Sequence, residues 1–123
     1  MKKKLDDYVS LESIRKRAIE NWDNKTVDEK RKKSERYKHV SEIYGYYGLK
    51  WNKSFLELND FQQMVVMKAE IIRTYDMLNV YYRKVFNEYL GLEENAKKWH
   101  LLSFKSKNKI MEHYGFKGVI KKQ

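Results

Sequence analysis

His39, His100 and His113 are the only imidazoles in a 123-residue chain without cysteine, so they are the only side chains whose ordinary pKa lies near neutrality. A general base needs a partner that orients its ring, and Glu35, one helical turn before His39, is spaced to do so. No Glu-x-x-His pair is present for a di-iron bundle, and the absence of cysteine excludes thiol nucleophiles and thiolate metal sites. The acidic pairs Asp6-Asp7, Asp28-Glu29 and Glu93-Glu94 fall at or just before expected helix starts, where the helix dipole favours carboxylates without any acid–base role. Neither GxxxxGK[ST] nor GxGxxG occurs, so no phosphate-cradling loop is written locally. We therefore expect a non-enzymatic protein with no cofactor and no metal.

The remaining chemistry is that of rings and cations. Ten Tyr, five Phe and three Trp make the chain too aromatic for an unstructured polyelectrolyte, despite a net charge of +10 from 27 basic and 17 acidic residues. Tyr44, Tyr46, Tyr47 and Trp51, flanked by Lys38, His39, Lys50 and Lys53, mix rings with cations as single-strand-binding surfaces do. A glycine-containing turn of this composition more commonly closes a core or anchors an interface. We accordingly expect Tyr46, Tyr47 and Trp51 at a protein interface, together with Met77, Val80 and Tyr81.

Charge is unevenly placed along the chain. Residues 1–39 hold 13 basic and 8 acidic groups, residues 40–96 hold 6 and 8, and residues 97–123 hold 8 and 1. The basic ends, Lys2, Lys3 and Lys4 at the start and Lys97, Lys98, Lys105, Lys107, Lys109, Lys117, Lys121 and Lys122 at the finish, are expected to meet nucleic acid or an acidic partner. If the C-terminal set neutralised about four to six phosphates, the log–log dependence of affinity on salt would have a slope of roughly −4 to −5. Lysine, not arginine, dominates there, which suits contact with the backbone better than bidentate reading of bases. A solvated lysine-rich face is the bland alternative.

These residues must be positioned by helices, because zero Pro and five Gly leave little turn chemistry for sheets. Ser10 can cap a helix over residues 11–22, with Leu11, Ile14, Ala18 and Trp22 on one face. Thr26 and Glu29 form a capping box for a second helix over residues 27–44, whose charged first half is expected to project into solvent or onto a partner. Asn59 or Asp60 caps the strongest element, one long central helix over residues 61–90 that Gly91 ends, contacted from more than one side. Tyr75, Tyr82 and Tyr89 at seven-residue intervals read as a packing seam on it. Shorter helices are expected over residues 92–104 and 107–114, the latter capped by Ser106 and ended by Gly115. The predicted fold is thus an all-α, single-domain bundle around the helix at 61–90. A second reading is a DNA-binding regulator in which the last two helices form a helix-turn-helix-like pair with Lys107 and Asn108 facing DNA.

The Tyr/Gly/Trp turn followed by Phe55-Leu56-Glu57-Leu58-Asn59-Asp60-Phe61 and a long helix, about residues 40–78, resembles the short helical proteins of tailed phages, such as assembly chaperones and small virion components. The resemblance covers about a third of the chain and carries over no functional residue. It implies a structural or assembly component with protein subunits as partners, and such a chain is expected to self-associate or to need a partner for full helicity; the basic ends here depart from the family's more acidic or neutral ones. No stretch approaches the roughly 18 apolar residues of a membrane span, and the basic start lacks an apolar h-region, so no membrane partner and a virion or cytoplasmic location are expected.

Overall fold

The fold is described from a computed structural model over residues 5–37, 53–92 and 97–116. Among these residues all regular structure is helical: α1 (Leu5–Val9), α2 (Leu11–Asp23), α3 (Val27–Tyr37), α4 (Asp60–Met77), α5 (Val80–Leu90) and α6 (Phe104–His113), with 3-10 turns at Phe55–Glu57 and Trp99–Leu101. The all-α bundle expected from the sequence is what forms. Short polar side chains set the helix starts: Ser10 Oγ accepts from Ser13 N, Thr26 and Glu29 bond reciprocally, and Asn59 does the same with Gln62.

The core is built where α2 lies along α4, with α1 against both. Ile14, Ala18 and Trp22 of α2 are buried at four-residue steps, and Ala18 and Ala69 line the same narrow crevice, so small residues set the approach of the two helices. α4 buries ten of its residues, including three charged or polar ones, because it is covered on several sides. That makes it the central element, as expected, but only over half of the predicted length.

The helix predicted over residues 61–90 is two helices. Leu78 leaves the helical region at φ −63°, ψ 141°, and the Asn79 side chain accepts from Tyr82 N at 2.8 Å, capping a new helix. The carbonyls left open at the end of α4 are met by the buried Arg83, which donates to the carbonyls of Tyr75 (3.4 Å), Asp76 (3.2 Å) and Leu78 (2.8 Å). A break in a buried helix is tolerable only when its orphan carbonyls find partners, and one planar guanidinium supplies three. The break also dissolves the tyrosine seam: Tyr75 is buried, Tyr82 half-buried and Tyr89 exposed, because α5 runs in a new direction.

Two other boundaries move. Within the predicted helix 92–104, residues 97–103 hold only the 3-10 turn Trp99–Leu101, and α6 begins at Phe104 because Ser103, not Ser106, accepts from the helix N-terminus. Ser106 is instead buried. Both glycine stops are real: Gly91 and Gly115 have φ of 71° and 89°, and Leu92 N and Phe116 N reach back to the carbonyls of Asn87 and Met111. α3 starts at Val27 as expected, but the remainder of the predicted 27–44 helix beyond residue 37 lies outside the described residues. Its charged first half does not simply project: Lys30 is buried, with Nζ 4.1 Å from the centre of the Trp22 ring.

Candidate interaction surface

Three polar constellations, buried or partly so, hold the elements that carry the candidate residues. The first joins α1, α2 and α4. Glu70, only 3% exposed, accepts from Asn21 (2.9 Å), Arg73 (3.0 Å), Arg17 (3.4 Å) and Thr74 (3.4 Å), while Arg17 also donates to Thr74 and to the Tyr8 carbonyl. A buried carboxylate is tolerable here because several donors converge on it. The second is Arg83 at the α4–α5 break, backed by Tyr75, whose hydroxyl donates to Asn87 at 2.8 Å. The third is Asp76, whose Oδ1 accepts from Trp99 N at 2.8 Å and whose carbonyl accepts from Lys98 Nζ at 3.3 Å. It fixes the 3-10 turn Trp99–Leu101 to the end of α4, with the Trp99 ring edge-on to Tyr75 at 5.9 Å. Trp99 Nε1 is buried without a hydrogen-bond partner among the described residues.

Exposed apolar residues occur on several elements, among them Leu11, Val27, Leu56, Phe61 and Tyr89, and three of them flank the break. Met77, Val80 and Tyr81 are 67%, 66% and 69% exposed, the end of one helix and the first turn of the next. These are the three expected interface residues that fall within the described chain, and all three are exposed. Tyr46, Tyr47 and Trp51 lie outside the described residues. Leu101 and Phe104, at 58% and 49% exposed, were not anticipated; both sat inside what read as one helix, where their exposure had no signal.

The described basic residues divide. Lys97, Lys98, Lys105 and Lys109 are exposed and Lys107 is half-buried, its Nζ 5.7 Å from the Phe104 ring centre. Two of them serve helix ends: Lys98 at the Asp76 carbonyl closes α4, and Lys109, 3.5 Å from the Gly91 carbonyl, sits at the end of α5, where a cation meets the negative pole of the helix. Lys2, Lys3, Lys4, Lys117, Lys121 and Lys122 lie outside the described residues. Lys53 is described: its carbonyl accepts from Trp22 Nε1 at 2.8 Å.

His100 is exposed on the 3-10 turn, and His113 sits edge-on to Phe86, Tyr89 and Tyr114 at the rim of a groove of about 450 Å³ that Leu5, Val9 and Val85 also line. His39 lies outside the described residues. Desolvation depresses the pKa of Lys68, buried on α4, and of Lys30, where nearby Asp23 partly opposes it. Burial raises the Tyr114 hydroxyl, against a weaker opposing pull from Arg17, and that hydroxyl donates to the Val9 carbonyl, joining α6 to α1. Among the described residues no three His, Asp or Glu side chains are grouped to hold a metal ion, and no helix is long and apolar enough to cross a membrane. No protein-family model, curated protein or solved structure matches the chain.

Proposed function

We propose that the protein is a non-enzymatic structural or assembly component of a larger complex, in the manner of the small tailed-phage proteins that residues 40–78 resemble. It contacts protein neighbours, further copies of itself among them, through apolar helix surface, and nucleic acid or acidic surfaces through its lysines, in a virion or in the cytoplasm. The observation that carries this is the exposure of Met77, Val80 and Tyr81 around a break whose own polar groups are met by Arg83. A helix interruption with buried, hydrogen-bonded support is a fixed surface feature, and large apolar side chains clustered on it suit a docking site better than a solvated face.

Light scattering over micromolar concentrations tests this. Wild-type protein is expected to self-associate above its 15.1 kDa monomer mass. The double variant Met77→Asp/Tyr81→Asp is expected to be monomeric with unchanged helix content. A wild-type chain that stays monomeric across the range stands against the proposal. The DNA-regulator reading is the less favoured of the two, since residues 97–103 hold only the 3-10 turn Trp99–Leu101 and Lys107 lies over Phe104.

A further inference from the structure

We propose that the surface carried by residues 97–107 docks an acidic segment of a protein partner that supplies apolar anchors along with its carboxylates. This rests on the reading that the chain works by binding, but it concerns a different surface from Met77, Val80 and Tyr81. Leu101 and Phe104 stand out from a turn that is itself firmly seated: Trp99 and Leu102 are buried, and Asp76 holds the Trp99 N–H at 2.8 Å. The two exposed apolar side chains are thus presented from a fixed base, which lowers the entropy lost on docking.

Within the segment itself the charge is of one sign, and the Asp76 carboxylate beneath it is engaged by the Trp99 N–H. Lys97, Lys98 and Lys105 are exposed and Lys107 leans over Phe104, while the sequence from residue 97 to residue 111 contains no carboxylate. Lysines beside exposed apolar side chains select a partner with the complementary arrangement. Nucleic acid fits it less well. Leu101 offers no stacking plane, the Phe104 ring already has a cation over it, and no arginine is present among these residues for bidentate recognition. A peptide uses both halves of the surface, its apolar side chains on Leu101 and Phe104 and its carboxylates on the lysines.

Isothermal titration of the full chain with three probes tests this: a synthetic peptide of interspersed Glu and Leu, a Glu-Ser peptide of equal length and charge, and a single-stranded oligonucleotide of equal charge. The Glu-Leu peptide is expected to bind at least about tenfold more tightly than either of the others, since each buried apolar anchor adds to the shared electrostatic attraction. Leu101→Ser and Phe104→Ser, both at exposed positions, are expected to remove that advantage, and Lys97→Glu/Lys105→Glu to weaken the binding that remains. Equal binding of the Glu-Ser peptide, tighter binding of the oligonucleotide, or indifference to Leu101→Ser and Phe104→Ser overturns the proposal. None of these variants touches Met77 or Tyr81. Failure here with self-association intact removes the acidic partner alone, whereas a wild-type monomer in light scattering removes the reading beneath it.

Discussion

The guanidinium of Arg83 donates to the carbonyl of Leu78 at 2.8 Å, from inside the very helix whose start follows that carbonyl. Together with its bonds to the Tyr75 and Asp76 carbonyls, it lets α4 end in the interior without leaving backbone acceptors dry. Arg83→Met, which keeps the stem and loses the donors, is expected to destabilise the fold by about 2–4 kcal/mol in urea unfolding. Asn79→Ala, which removes only the cap, is expected to cost about 1 kcal/mol. Equal, small effects of both would mean that Arg83 does not hold the break.

Glu70 makes a second prediction. Glu70→Ala leaves Arg17 without its ion-pair partner beside the core and is expected to cost about 3–5 kcal/mol, whereas Glu70→Gln, which retains an acceptor for Asn21 or Thr74, is expected to cost clearly less. Circular dichroism against urea concentration ranks the two. The reverse order would contradict the network described.

Alkaline pH separates two buried groups. Lys68 has its pKa lowered by burial from the ordinary 10.5, so the unfolded chain holds that proton more tightly, and stability is expected to rise with pH as Lys68 deprotonates below 10.5. Tyr114 is shifted the opposite way, raised from 10.0, so its stabilising contribution is present below pH 10 and is lost as pH rises beyond it. Lys68→Met is therefore expected to be neutral or stabilising at pH 7 and to abolish the rise. Tyr114→Phe is expected to cost about 1 kcal/mol at pH 7 through the lost bond to Val9 and to flatten the decline above pH 10. Unfolding free energies across pH 7–11 check both; a Lys68→Met protein with an unchanged alkaline profile would contradict the assignment.

Helix starts were legible because their partners lie within four residues in sequence. Ser10, Thr26 with Glu29, and Asn59 each bond the first turn of the helix that follows, as their order in the chain implies. Gly91 and Gly115 were legible for the same local reason. The break at Leu78–Asn79 was not. Apolar periodicity runs on beyond it, interrupted there only by Asn79 itself, and the carbonyls that the break opens are met by Arg83, which is a matter of the folded interior. The choice of Ser103 over Ser106 likewise depends on burial of Ser106 and on the anchoring of Trp99 by Asp76, a partner 23 residues away. Of the candidate surface, Met77, Val80 and Tyr81 could be picked out as apolar residues off the main stripe, but Leu101 and Phe104 needed the turn before their exposure had meaning.

The surface at the break is tested most directly by comparing wild-type protein with Met77→Asp/Tyr81→Asp in sedimentation at micromolar concentration. A wild-type chain that associates and a double variant that sediments at the 15.1 kDa monomer mass with full helix content are the expected pair. Identical sedimentation of the two, whether both associate or both are monomers, would contradict a docking role for Met77 and Tyr81.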